Sequence, residues 1–82
     1  MAFRCIIRFE STTVELCVSF HTPEVWRWSI QLSNGIMLEE GTSATQLAAQ
    51  MATQRAFEKR LLRAELGRHI PETYLWKLTS QG

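Results

Sequence analysis

The sequence predicts an α+β domain: an antiparallel sheet of four or five strands with one long helix packed on one face, in the chain order β-β-β-β-α-β. Three successive stretches alternate apolar and polar residues with a period of two, which is typical of strands with one buried face. Residues 43–66 then change to helical spacing, and the chain alternates again near its end. With 82 residues of ordinary globular composition, we expect a single domain over 1–82.

The first three strands are predicted over residues 3–10, 14–21 and 25–32, each with its apolar side chains on the same face. Two apolar helix residues complete the core that this pattern predicts. The predicted core comprises Phe3, Cys5, Ile7, Phe9, Val14, Leu16, Val18, Phe20, Trp26, Trp28, Ile30, Leu32, Leu47 and Met51. Because the charged residues alternate with these, the opposite face of the sheet is predicted to be open to solvent.

A two-residue turn at Ser11–Thr12 is predicted to join the first two strands. In that register Phe9 lies opposite Val14, and all apolar partners stay on one face. The same register places Arg8 across from Glu15, which is a favourable pair of opposite charges.

A three-residue Ser-Asn-Gly loop is predicted between strands three and four, with the glycine in a left-handed conformation. It pairs Leu32 with Ile36 and Ile30 with Leu38, so that side-chain parity favours it over a two-residue Asn-Gly turn. Strand four is then predicted to be short, from about Ile36 to Glu39.

The helix is predicted to begin at Ser43, which forms a capping box with Gln46, while Thr42 is a competing cap. Gly67 is suited to the position just past the helix C-terminus, where a left-handed residue is common. Residues 74–79 alternate again and predict a last strand, whose position in the sheet the pattern leaves open.

The predicted helix is apolar on more than one side. One side carries Ala44, Leu47, Ala48, Met51 and Leu62, of which Leu47 and Met51 are predicted to reach the core. A smooth stripe of Ala49, Ala52 and Ala56 is an alternative sheet-facing surface, and Phe57, Leu61 and Ala64 lie on a third side. Three alternatives are open for that third side: the last loop and strand cover it, the helix bends, or it binds a partner, which would be another protein or a second copy of the chain.

Two groups of exposed residues are further candidates for binding. A basic row of Arg55, Lys59, Arg60 and Arg63 on the helix could neutralise phosphates, so nucleic acid is the alternative partner. The open sheet face is predicted to carry Arg4, Ile6, Arg8, Cys17 and Arg27, with Ile6 and Cys17 paired across strands beside Val25 as a small apolar island. That face has no aromatic platform for stacking bases.

The sequence contains no motif for catalysis, for a metal or for a cofactor, and we expect a non-enzymatic protein without a small-molecule substrate. The two histidines, His21 and His69, have no ligand spacing, and the chain contains no aspartate. Cys5 and Cys17 are predicted on opposite faces, so that they cannot form a disulfide with each other. No apolar run is long enough to span a membrane and no signal peptide is evident, so we expect a cytoplasmic protein.

The order of elements loosely resembles small antitoxin folds and double-stranded-RNA-binding-like α+β folds, and this likeness is one of topology only. It implies no residue roles, because the motifs of those families are not found in this chain. We expect a small protein-binding domain that occludes a macromolecular partner, in the manner of phage or mobile-element inhibitors such as anti-CRISPR-type proteins. An antitoxin-like or nucleic-acid-binding domain that uses the basic row is the alternative expectation.

Overall fold

The computed structural model describes residues 1–79 and shows a five-stranded antiparallel sheet with one α-helix on one face. This confirms the predicted α+β class and the order of its elements. The elements are β1 (Ala2–Phe9), β2 (Thr12–Thr22), β3 (Val25–Leu32), β4 (Met37–Ser43), α1 (Gln46–Arg63), a 3₁₀ turn (Gly67–His69) and β5 (Lys77–Thr79). The sheet order is β4-β3-β2-β1-β5, so the last strand is an edge strand that pairs with the first.

The predicted alternation of side chains in the first three strands is confirmed. The sheet contributes Cys5, Ile7, Val14, Leu16, Val18 and Ile30 to the buried core. Arg4, Arg8 and Arg27 are exposed on the opposite face. Trp26 and Trp28 are half-buried on the helix side, whereas Phe20 is largely exposed, so its predicted core position is wrong. Phe20 lies near the far end of β2, where its ring packs edge-on against Trp26.

The predicted register of the first hairpin is wrong by two residues, although its parity is right. Phe9 pairs with Thr12, so the two turn residues are Glu10 and Ser11. A shift of two residues keeps every side chain on its face, and side-chain parity therefore cannot separate the two registers. The turn depends on Glu10, which adopts a φ of 54°, an unusual conformation for a residue other than glycine.

This register changes the pairs on the open face. Glu15 lies across from Ile6, and Arg8 lies across from Thr13, so the predicted Arg8–Glu15 pair is wrong. Arg4 occupies the position across from Cys17, which also removes the predicted cross-strand pairing of Ile6 with Cys17.

The predicted three-residue loop between β3 and β4 is confirmed. The Leu32 N–H donates to the Ile36 carbonyl at 2.9 Å, and Gly35 has a φ of 92°. The predicted Ile30–Leu38 pair is wrong, because Ile30 pairs with Glu39 and Leu38 is the extra residue of a β-bulge. The bulge turns Glu39 toward the helix side of the sheet and leaves Leu38 packed against the core.

β4 continues to Ser43, well beyond the predicted end at Glu39, and pairs there with Trp26 of β3. The predicted caps Ser43 and Thr42 are therefore strand residues, and both cap predictions are wrong. The N-cap is Thr45, whose Oγ1 accepts a hydrogen bond from the Ala48 N–H at 3.1 Å.

The last residue of the helix is Arg63, and its C-cap is Ala64, three residues before the predicted glycine. Glu65 takes the left-handed position with a φ of 61°. Its N–H bonds to the Leu62 carbonyl and the Leu66 N–H bonds to the Leu61 carbonyl, at 3.1 and 2.7 Å, which is a Schellman motif. Gly67 instead begins the 3₁₀ turn, so its predicted role as the left-handed residue is wrong.

The helix is rotated relative to the prediction. Its buried residues are Ala49, Thr53, Ala56, Phe57 and Leu61, which combine the small stripe with part of the third side. Leu47 and Met51, which were predicted to lie in the core, are instead 64% and 43% exposed, and Leu62 on the same side is 61% exposed. The buried hydroxyl of Thr53 donates to the Ala49 carbonyl at 2.6 Å. Because its hydroxyl is hydrogen-bonded, Thr53 can lie in the core although it is a polar residue.

The predicted partner-binding surface of Phe57, Leu61 and Ala64 is accordingly wrong for its two large members. Phe57 and Leu61 are core residues, 2% and 4% exposed, and the Phe57 ring lies 6.4 Å from that of Phe9. Ala64, the C-cap of the helix, is the one exposed residue of the three and does not form a surface with the other two.

The C-terminal segment covers the side of the helix nearest β1. Tyr74 donates from its hydroxyl to Glu58 Oε2 at 2.7 Å, and Trp76 Nε1 donates to Gln54 Oε1 at 2.9 Å. Beyond these contacts β5 pairs with residues 2–4 of β1. The predicted folding of the last loop back over the helix is therefore confirmed, whereas the last strand is shorter than predicted and lies in the sheet beside β1.

Candidate binding surface on the open face of the sheet

The sheet face opposite the helix is a continuous surface built from all five strands. One cross-strand row consists of Lys77, Arg4, Cys17, Ser29 and Glu40, in the order β5-β1-β2-β3-β4. We call the face opposite the helix the open face. Since α1 packs on the other side, no helix within residues 1–79 covers it.

The open face is predominantly basic. Its exposed cations are Arg4, Arg8, Arg27 and Lys77, and its carboxylates are Glu15 and Glu40. The open face therefore carries four positive and two negative charges. The Glu15 carboxylate accepts a hydrogen bond from the Gln31 side chain at 3.1 Å, which draws it toward β3. The cations are concentrated toward the β1–β5 side of the sheet.

Sequence reasoning places three of these cations correctly but misses Lys77. The pattern of residues 74–79 predicts a strand without saying which neighbour it pairs with. The structure pairs Lys77 with Arg4, which brings two positive charges side by side. That like-charge pair is unfavourable within the chain and is available to an acidic ligand.

Exposed apolar side chains interrupt the basic surface. Ile6 is 50% exposed and Leu75 is 70% exposed. Extending the β1–β5 register by two residues places Leu75 beside Ile6. Both line a shallow depression of about 380 Å³, which we call the Ile6 notch, together with Arg4, Lys77, Leu78 and Thr79. The apolar neighbour of Ile6 is thus Leu75, and the predicted island with Cys17 and Val25 is wrong.

A second depression, of about 570 Å³, lies across β2, β3 and β4. Cys17, Arg27, Ser29 and Glu40 are among its lining residues. Burial raises the pKa of the Cys17 thiol, an effect only partly offset by the neighbouring Arg4 guanidinium. The thiol is therefore neutral at pH 7 and not activated as a nucleophile.

The second cysteine lies on the helix side of the sheet. Cys5 is buried in the core, and burial raises its pKa as well. Both cysteines are free, and their opposite faces keep them apart as predicted.

The histidines occupy two different hairpin ends. His21 lies at the bulge of β2, where its Nε2 accepts a hydrogen bond from Arg27 at 3.3 Å. The His69 ring stacks on Phe9 and lies 3.4 Å from Glu10 Oε1. Within residues 1–79, no three histidine, cysteine or glutamate side chains come together in a way that could hold a metal ion.

The predicted basic row of the helix is divided between two roles. Arg55, Lys59 and Arg63 are exposed, and none of their side chains forms a hydrogen bond or ion pair within the described chain. Arg60 turns toward the sheet, where it pairs with Glu39, so it does not belong to an available row.

Comparisons with known proteins add no further assignment. No protein-family model matches the chain, and no curated protein and no solved structure matches it either. Among residues 1–79 there is no helix with the length and the apolar content needed to cross a membrane.

Proposed function

We propose that this protein is a non-enzymatic binding domain that occludes a macromolecular partner, and that the open face is its contact surface. The observation that carries the proposal is the pair of exposed apolar side chains, Ile6 and Leu75, set among the cations of a rigid sheet. Protein interfaces combine apolar anchors with a polar rim in the same way. A sheet held by its own hydrogen bonds needs little ordering when a partner binds.

The helix side of the sheet does not offer the partner site that the sequence predicted. The large helix residues that the sequence offered as a partner site, Phe57 and Leu61, already fill the core. We therefore transfer the proposed protein contact from the helix to the open face. The protein would inhibit its partner by covering a surface of that partner and not by catalysing a reaction. Small inhibitors of phages and mobile elements, among them anti-CRISPR-type proteins, act in this way.

We also propose a cytoplasmic setting for this activity. Both thiols are free, and Cys5 and Cys17 lie on opposite sides of the sheet. Free thiols fit a reducing compartment.

The test is an affinity capture with paired variants. The intact chain and an Ile6→Ser/Leu75→Ser variant are immobilised, and retained host proteins are compared by mass spectrometry. A Leu47→Ser/Leu62→Ser variant is the matched control, because those leucines are as exposed but lie on the outer face of the helix. We expect a protein that the parent and the control retain and the open-face variant loses. Equal retention by all three chains would contradict the proposal.

Nucleic-acid binding is a second candidate, supported by the exposed row of Arg55, Lys59 and Arg63. Three neutralised phosphates imply that affinity falls about 40-fold between about 50 and 200 mM salt. A gel shift with duplex DNA and RNA at both salt concentrations tests this, with Arg55→Ala and Arg63→Ala as loss variants and Arg8→Ala as the control. Binding without salt dependence, or binding unaffected by both loss variants, would exclude this candidate.

A further inference from the structure

We infer that the open face takes an acidic protein segment whose large apolar side chain enters the Ile6 notch; this inference rests on the proposed function and names the partner's chemistry. Four features support it: the apolar floor of the notch, the cations around it, the absence of internal partners for two of those cations, and the net charge of the whole face.

The notch has an apolar floor and a basic rim. Ile6 and Leu75 form the floor, and Arg4 and Lys77 line the same depression of about 380 Å³. Arg8 lies two residues along β1 from Ile6 on the same face. The depression is open to solvent, and its volume is more than enough for one large side chain of a partner.

The cations at the rim are available for binding. The side chains of Arg8 and Lys77 make no hydrogen bond or ion pair within residues 1–79, and the Arg4 side chain contacts the Cys17 thiol, which is neutral. Glu15 is across from Ile6, but its carboxylate is bound by Gln31 on the β3 side, away from the notch. If a partner has carboxylates on either side of an apolar residue, those carboxylates would therefore lie near the cations of the rim and away from the Glu15 carboxylate.

The charge of the face favours an acidic partner over a second copy. Four cations against two carboxylates leave each open face positive, so two such faces repel each other when they are stacked. The same face is unsuited to nucleic acid. No Phe, Tyr or Trp among residues 1–79 has the outward parity of the sheet, and the apolar floor occupies the centre of the cation cluster.

The experiment is a selection from a displayed library of random peptides on the intact chain. Enriched peptides are synthesised with a fluorophore, and their affinity is measured by anisotropy for the parent, Arg4→Gln/Lys77→Gln and Ile6→Ser/Leu75→Ser. Arg55→Gln/Lys59→Gln is the matched control, because it removes the same charge from the helix. We expect peptides with a large apolar residue between acidic residues, and about tenfold weaker binding by each open-face variant but not by the control.

The outcomes separate this inference from the proposed function. Peptides that require Ile6 and Leu75 but carry no excess of acidic residues would overturn the acidic partner and leave protein binding in place. Peptides that bind the Ile6→Ser/Leu75→Ser chain as well as the parent would overturn both. Sedimentation of the parent as a dimer that Ile6→Ser/Leu75→Ser dissociates, or displacement of the peptide by duplex DNA at equal concentration, would assign the face to another occupant and overturn the inference.

Discussion

Arg60 Nε lies 3.2 Å from Glu39 Oε1, which joins the second half of the helix to the bulge of β4. The same guanidinium donates from Nη2 to the Leu38 carbonyl, the backbone group of the bulged residue. A bulge leaves its extra residue outside the ladder of strand hydrogen bonds, and here a helix side chain supplies the missing donor. The residue that the sequence assigns to a phosphate-binding row is thus a structural link between helix and sheet.

Arg60→Met is expected to lower the free energy of unfolding by about 1–2 kcal/mol, because it leaves the Leu38 carbonyl without its charged donor. Glu39→Gln should cost less than about 0.5 kcal/mol, since both charged side chains are about 40% exposed and solvent screens the ion pair. Urea denaturation of both variants measures the difference. Lys59→Met, at an exposed neighbouring position, is the control, and an equal loss from Lys59→Met would contradict this role of Arg60.

Gly41→Ala is expected to destabilise the protein by about 1–3 kcal/mol. A Cβ at this position would lie 2.5 Å from Cζ2 of Trp28, so the indole must leave its place over β4. The change in tryptophan fluorescence and the urea midpoint report the displacement, and Thr42→Ala next to it is the control. Combining Gly41→Ala with Trp28→Leu should cost less than the sum of the two single losses. A simple sum would show that the two residues do not contact each other.

The parity of the strands was predictable from the sequence, whereas the rotation of the helix was not. Alternation by two residues gives each strand one apolar face, and Arg4 and Arg8 accordingly lie opposite the helix. The helix offers three apolar sides, and its buried one includes Thr53, which a polarity pattern excludes. Trp28 of the sheet packs against the core cluster, and that cluster includes small helix residues such as Ala56 as well as Phe57.

The candidate site was predictable only in part, for a related reason. Arg4, Ile6 and Arg8 follow from strand parity alone. Leu75 and Lys77 join them only once β5 pairs with β1, and that pairing depends on contacts of the preceding segment with the helix, which local patterns do not encode. The two-residue error in the first hairpin has a similar origin, since the turn requires the left-handed conformation of Glu10.

Neighbouring leucines test the rotation of the helix directly. Leu61→Ala is expected to lower the free energy of unfolding by about 2–5 kcal/mol, because the side chain is 4% exposed in the core. Leu62→Ala should change it by less than about 0.5 kcal/mol, since Leu62 is exposed. Chemical denaturation of both proteins gives the comparison. A larger loss from Leu62→Ala would mean that the helix turns its other side to the sheet.

Alkaline unfolding tests the contact between Tyr74 and Glu58. Burial first, and then the hydrogen bond to the Glu58 carboxylate, raise the pKa of Tyr74 above its ordinary value. Because the folded pKa is higher than the unfolded one, this contribution to stability is fully present below about pH 10 and is lost as the pH rises further. Tyr74→Phe should therefore be less stable than the parent at pH 7 by about 1–2 kcal/mol, and the gap should narrow above about pH 10.

Thermal or urea melts across this range follow the Tyr74 effect, with Cys5→Ala as the control background. Cys5 is also buried with a raised pKa, so its own titration adds to the alkaline loss and must be removed to isolate the tyrosine. A gap between the parent and Tyr74→Phe that stays constant through the alkaline range would show that burial and the Glu58 carboxylate do not raise the pKa of Tyr74.

The end of the helix offers a stabilising substitution. Glu65 has a φ of 61° in the Schellman motif, a conformation that costs a residue with a Cβ about 1–2 kcal/mol and glycine almost nothing. Glu65→Gly is therefore expected to raise the free energy of unfolding by about 0.5–1 kcal/mol, after the greater freedom of glycine in the unfolded chain is subtracted. Ala64→Gly, one residue earlier at a φ of −89°, is the control and should destabilise the protein. Urea denaturation of both variants decides the matter, because a loss of stability from Glu65→Gly would mean that the chain leaves the helix by another turn.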